Sequence, residues 1–311
     1  MEAAAVSGHG HVVAAGTATG DHRRRLLVVL VITVVVLVAQ LVGGVVSGSL
    51  ALLADAGHMA TDAAGLAVAL AAAGLAARPA TNARTYGLQR AEILAALVNA
   101  VLLGGVAIWV LIEAARRWGE APDVEPGLML AVATVGAAAN LVSLLVLRRG
   151  ADASLNLRGA YLEVLGDLLG SLAVVAAAVV IVTTGYARAD AIASVLIAAM
   201  ILPRAWGLLR DVLDVLLEAT PRGVDLDHVR AHISDVRGVV DVHDLHAWTI
   251  TSGMPVLSAH VVVDDRCVAE GRAGEVLDEL GECLDGHFDV AHCTFQLEPV
   301  GHRAHEAAHH R

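Results

Sequence analysis

No basic excess is available to this chain for holding a nucleic acid. Lys and Arg total 21 against 32 Asp and Glu, and the formal charge is -11. The only basic block is the short HRRR at 22–25, so a phosphate-tracking surface is excluded. Cysteine is scarce as well. Cys267, Cys283 and Cys293 are odd in number and all lie near the C-terminal end, which argues against a disulfide framework and for a reducing, cytosolic setting of that part. G-x-S-x-G does not occur, and the one HExxH, HEAAH at 305–309, lies outside the apolar runs, so an intramembrane metallohydrolase, and an enzyme generally, is not expected. Charge of either sign is thin at 17%, against 57% hydrophobic residues. That balance is too apolar for an ordinary soluble protein, and the length allows several membrane spans plus one small domain.

A bilayer core takes about 20 apolar residues per helix. Six such runs are present, at 26–46, 50–75, 91–113, 127–147, 160–182 and 189–209. The first has a basic flank but spans the bilayer and has no A-x-A exit, so it is expected to stay as a helix and not to be cleaved as a signal. An even number of spans puts both termini on one side. Arg23, Arg24, Arg25, Arg78, Arg84, Arg90, Arg148, Arg149, Arg158 and Arg210 fall on that side, against Arg116, Arg117 and Arg188 opposite. By the positive-inside rule both termini are cytoplasmic. Glu113 is expected to end the third span at the outer face, and Arg90 and Glu92 to sit at the cytoplasmic rim.

After Leu209 the pattern changes. Pro221 and Gly223 break a charged helical stretch into a connector and a helix near 225–236. The segments VVDVHDLHAWTI and PVLSAHVVVD then alternate like strands around a Ser-Gly turn, a helical stretch covers about 269–286, and VAHCTFQLEP reads as a last strand. The expected organisation is a polar tail over 1–21, a membrane all-α six-helix bundle over 22–210, an α-β-β-α-β cytosolic domain over 211–300, and a His-containing tail over 301–311. The two tails are expected to be disordered. A domain this small has a limited core, which favours dimerisation.

Within the second run, the stretch DAGHMATD at 55–62 interrupts Ala, Leu, Gly and Val with ionisable groups. Between Arg23 and Leu217 the only one of the 15 histidines is His58. Asp62, four residues on, shares its helix face, and Asp55 lies near the same stripe. The fifth run repeats the device with Glu163 and Asp167 in YLEVLGDLLGS. An ionisable group at bilayer depth costs several kcal/mol unless it is partnered and faces protein or water. Two helices with two ligands each form a four-ligand cage of imidazole and carboxylate, suited to a divalent transition metal and to Zn2+ in particular. Gly57, Gly65, Gly166 and Gly170 beside them allow close helix packing. The competing reading is polar helix packing or a proton relay without metal. For Asp55, Asn99 and Asn140, interhelical hydrogen bonding and the orienting of a metal ligand both remain open.

These residues resemble the cation diffusion facilitator family. The resemblance covers about 22–300 and rests on SGSLALLADAGHMATDAAGLAVAL, YGLQRAEILAALVNA, NLRGAYLEVLGDLLGSLAVV and VHDLHAWTITSGMPVLSAHV. It implies a homodimer of six-helix protomers in the plasma (inner) membrane that exports divalent metal against protons, with a metallochaperone-like cytosolic domain and no organic cofactor. It also implies a transport site of His58, Asp62, Glu163 and Asp167. Zinc-type members usually carry His at the place of Glu163, so Cd2+, Co2+, Mn2+ and Fe2+ stay open beside Zn2+. No metal site is expected in the loops at 77–90 and 148–159.

In the tail domain the resemblance further implies metal ligation by His243, His260 and Glu298, with His246 and His292 as neighbours. Regular alternation puts His243 and His246 on opposite strand faces. Cys293 is expected to be a small core cysteine, with a soft-ligand role as the alternative. His228, His232 and His287 are expected to be solvated. The terminal histidines, His9, His11, His302, His305, His309 and His310, either collect metal weakly or do nothing. A metal sensor that does not transport is the competing function; a channel is disfavoured, because a tight cage holds its ion too long.

Overall fold

The structure is a computed structural model that describes residues 18–119, 123–148, 155–287 and 292–302. The N-terminal segment with His9 and His11, the loop at 149–154, and the end of the chain with His305, His309 and His310 lie outside the described residues. The chain forms two compact units: residues 1–62 with 103–202, and residues 63–102 with 203–311.

Six long helices dominate: α1 (Ala18–Ser47), α2 (Leu50–Ala76), α3 (Ala91–Gly119), α4 (Pro126–Arg148), α5 (Leu155–Thr184) and α6 (Arg188–Leu216). Each contains a window long and apolar enough to cross a membrane. Their outward faces are apolar too. On α1 alone Val31, Val35, Val38, Val42, Val45 and Val46 are exposed, a surface that suits acyl chains and not water. The third span does not stop at Glu113, because α3 runs on to Gly119. Arg116 and Arg117 occupy its last turn, where cations complement the helix dipole, and Glu113 becomes the i,i+4 partner of Arg117.

In the first unit α4 packs against both α1 and α5. Val29, Leu147 and Val164 form a small core there. The turn from α1 to α2 requires glycine at position 48, where φ is +70° and a Cβ would come within 2.7 Å of the Asp123 carbonyl oxygen. Gly170 of α5 is needed for a different reason: a Cβ there would lie 2.6 Å from Asp55 Oδ1. Gly57 and Gly65 are similarly close to Val106 and Asn99, but nothing comes near Gly166, so the expected close packing holds at three of the four glycines.

The second unit contains the tail domain, with α7 (Leu226–Ser234), β1 (Val239–Thr249), β2 (Pro255–Val263), α8 (Asp265–Ala269), α9 (Ala273–His287) and β3 (His292–Pro299). The α-β-β-α-β order is present, with its second helical stretch broken in two. Gly271, at φ +70°, ends α8 in the left-handed conformation before α9 begins. Asp225 caps α7 by accepting from the amides of Asp227 and His228. The sheet order is β1-β2-β3, antiparallel for the first pair and parallel for the second. One face buries Val242, Leu245, Leu257, Ala259 and Val261 against α7 and α9. The other face carries the polar residues.

Candidate metal centre

In the first unit α2 and α5 bring three of the four expected ligands together. His58 Nε2 lies 3.6 Å from Asp62 Oδ2 on its own helix and 3.9 Å from Asp167 Oδ1 across the helix pair. His58 and Asp167 are buried, and Asp62 and Glu163 are half-buried. Glu163 stands one turn before Asp167 on α5, at i,i+4 spacing and so on the same face. One imidazole and two carboxylates are donors of the kind that hold a divalent cation, and Glu163 would be the fourth donor and the third carboxylate.

Asp55 and Asn140 are placed one turn further along, in a network of their own. Gln40 Nε2 of α1 donates to Asp55 Oδ2 at 2.7 Å, and Ser171 Oγ of α5 donates to the same oxygen at 3.1 Å. Asn140 Nδ2 of α4 donates to Ser171 Oγ at 3.4 Å. Both residues therefore belong to an interhelical hydrogen-bond network. Asn99, in the second unit, packs on Gly65. The sequence reading overlooked Gln40 and Ser171. A lone Gln inside an apolar run, and a Ser at i+4 from Asp167, were the available signals.

A second carboxylate escaped the sequence reading altogether. Asp190, in the first turn of α6, is fully buried and caps α2: Ser49 Oγ donates to Oδ1 at 2.6 Å, and the amides of Leu50 and Ala51 donate to Oδ2 and Oδ1 at 2.8 and 3.2 Å. Arg117 of α3 closes the group, donating to the Gly48 carbonyl at 2.7 Å and standing 4.0 Å from Asp190. In sequence, an Asp after Arg188 looks like a solvated helix start.

In the second unit the tail histidines meet Glu298. His243 Nε2 is 3.3 Å from Glu298 Oε2, and His260 Nδ1 is 2.7 Å from Oε1 of the same carboxylate. Asp244 adds a donor within 4.8 Å of both histidines. The face assignment of His246 needs correction. A β-bulge between His243 and His246, with Asp244 at φ +46°, pairs His243 with His260 and His246 with Ser258. Those β2 partners are two residues apart, so the bulge puts both histidines on the same sheet face. His246 nevertheless stands exposed, level with Ser258, whereas Glu298 is level with Val262. His292 is exposed at the start of β3, beside Tyr86. Cys293 is exposed on this edge strand and not a core cysteine. Burial and the charge of Asp235 push the Cys283 thiol up. Arg90 pairs with Glu218, and Glu92 accepts from Thr251.

A family model described as the cation efflux transmembrane domain matches residues 26–217, and one for the cation efflux protein cytoplasmic domain matches 221–300. The chain belongs to the cation diffusion facilitator family. This is a family of cation efflux transporters and not of enzymes, and its six apolar helices make the chain an integral membrane protein. It is similar to the cation efflux system protein CzcD of Alcaligenes sp. (strain CT14), at 46% identity over 98% of this chain and 94% of that one. The zinc transporter ZitB of Escherichia coli (strain K12) is 39% identical over 89% of this chain and 88% of its own. The cadmium, cobalt and zinc/H(+)-K(+) antiporter of Bacillus velezensis is 36% identical over 95% and 93%. For a cation diffusion facilitator, metal is the cargo and not a resident cofactor.

Proposed function

We propose that the protein exports divalent metal, with Zn2+ preferred, in exchange for protons. The observation that carries this reading is the buried imidazole of His58 held between two carboxylates from two helices at 3.6 and 3.9 Å. Imidazole and carboxylate bind metal only when deprotonated, so loading releases protons and protonation releases metal. A cage opening to a near-neutral cytosol fills; opened to a more acidic exterior, it empties. The arginine distribution supports cytoplasmic termini and the inner membrane as the site of action. The names of the relatives, which include zinc, cadmium and cobalt, fit the donor set. A homodimer, joined through the tail domain, completes the proposed transport unit, and the His243/His260/Glu298 group is its proposed regulatory metal site. Filling that group would tighten the dimer and favour export.

The test is metal uptake into proteoliposomes under an imposed pH gradient with Zn2+, Cd2+, Co2+, Mn2+ and Fe2+. Gradient-driven Zn2+ uptake, lost in His58→Ala, is the expected result. Retained binding without flux for any metal would make the protein a sensor. In the same assay Glu163→His is expected to move the preference toward Zn2+ over Mn2+ by about tenfold, because it exchanges a hard oxygen donor for a borderline nitrogen. An unchanged preference series would remove Glu163 from the selectivity argument.

A further inference from the structure

Asp55 is a carboxylate that metal binding does not use. It is 1% exposed inside a membrane-spanning helix, and its neighbours Gln40, Ser171 and Asn140 are each 1% exposed or less. Every group that faces it is neutral: Gln40 from α1, Ser171 from α5 and, through Ser171, Asn140 from α4. Among the described residues no Arg or His hydrogen-bonds to it. The nearest titratable groups along the helices are His58, one turn on in α2, and Asp167, one turn before Ser171 in α5. One carboxylate beside two amides and a hydroxyl is a donor set suited to a proton and not to a divalent transition metal.

We propose that the Asp55–Gln40–Ser171 network is a proton-binding site distinct from the metal ligands, and that Asp55 carries one of the protons exchanged for metal. This rests on the antiport reading above. The Gln40 amide is built for both states of the carboxyl. Its Nε2 donates to Asp55 Oδ2, as it would to an ionised carboxylate, while its Oε1 is buried with no hydrogen-bond partner among the described residues. Turned over, the amide presents that oxygen to the O–H of a protonated Asp55. Ser171 can reverse likewise, since a hydroxyl both donates and accepts. The coupling to metal is electrostatic. A divalent cation bound one turn away in the cage repels a proton on Asp55 and lets it go, and departure of the cation lets a proton return. The proton leaves to the side facing the cytosol when metal loads, and a proton from the acidic side returns to Asp55 as metal departs.

The experiment is Zn2+ addition to the purified full chain in lipid nanodiscs, with released protons counted by a pH indicator and protonated carboxyls followed by infrared difference spectroscopy. Asp55→Asn is expected to release one proton fewer per Zn2+ bound and to lack a protonated-carboxyl band that disappears in the wild type on Zn2+ binding. Equal proton release with the band retained would overturn the proposal while leaving antiport intact. A wild type releasing no protons would remove the antiport reading itself and this inference with it. Should Asp55→Asn not fold, Gln40→Leu keeps the carboxyl and removes the amide. Its band is then expected to shift in frequency with Zn2+ still bound, and an unmoved band would assign it to another residue.

Discussion

Asp167→Ala is expected to lower metal flux by at least about 100-fold, since even residues that only orient a metal ligand cost about 10- to 100-fold when lost. Asp167 is 4% exposed, and its carboxylate is the link between His58 and the fifth helix. Without it three donors remain, His58 and Asp62 of α2 and the half-buried Glu163 of α5, and the α5 oxygen nearest His58 is gone. The fold should survive, because the substitution deletes a costly buried charge and not a hydrophobic contact. The expected result is therefore a monodisperse protein with a melting temperature no lower than wild type and no gradient-driven Zn2+ uptake. Unfolding would assign Asp167 a structural role; normal flux would place the ion elsewhere.

The helices and the meeting of His58, Asp62 and Asp167 were legible because hydrophobic runs and i,i+4 polar pairs are local properties. DAGHMATD and YLEVLGDLLGS each announce one ligand face within a single turn and a fraction. What crosses between distant segments was not legible. Regular alternation separates His243 from His246, and only a one-residue bulge at a left-handed Asp244 reverses that. Nothing in a lone Asp or Gln tells which helix it will face. Gln40 and Asp190 acquire their meaning from Asp55 fifteen residues away and from Ser49 in a different hairpin. The end of α3 was misjudged for a related reason. Glu113 looked like a terminus because charge ends a hydrophobic run, yet with Arg117 four residues on, the helix satisfies its own charge and continues.

Asp190→Ala is expected to cost about 3 kcal/mol of stability, the loss of a carboxylate that satisfies three buried donors, each such bond to a charged group contributing about 1.5–3 kcal/mol before water relieves part of the loss. The first amides of α2 have no partners inside their own helix. Ser49 Oγ accepts only from Leu52, so the Leu50 and Ala51 amides depend on the α6 carboxylate. Arg117 also loses the nearest charge beyond Glu113. Thermal unfolding of the detergent-solubilised protein measures the effect, and a melting temperature within a degree or so of wild type, well short of what a loss of about 1 kcal/mol shifts, would refute it. The pair Ser49→Asp with Asp190→Ser separates two roles of this residue. It moves the carboxylate onto the N-cap of α2 itself, where Asp is favoured, and removes the anionic bond between α6 and α2. If Asp190 serves only as a cap, the double variant regains both stability and flux. If the tie between α6 and the helix bearing His58 positions that ligand, stability returns while the metal concentration for half-maximal uptake stays raised.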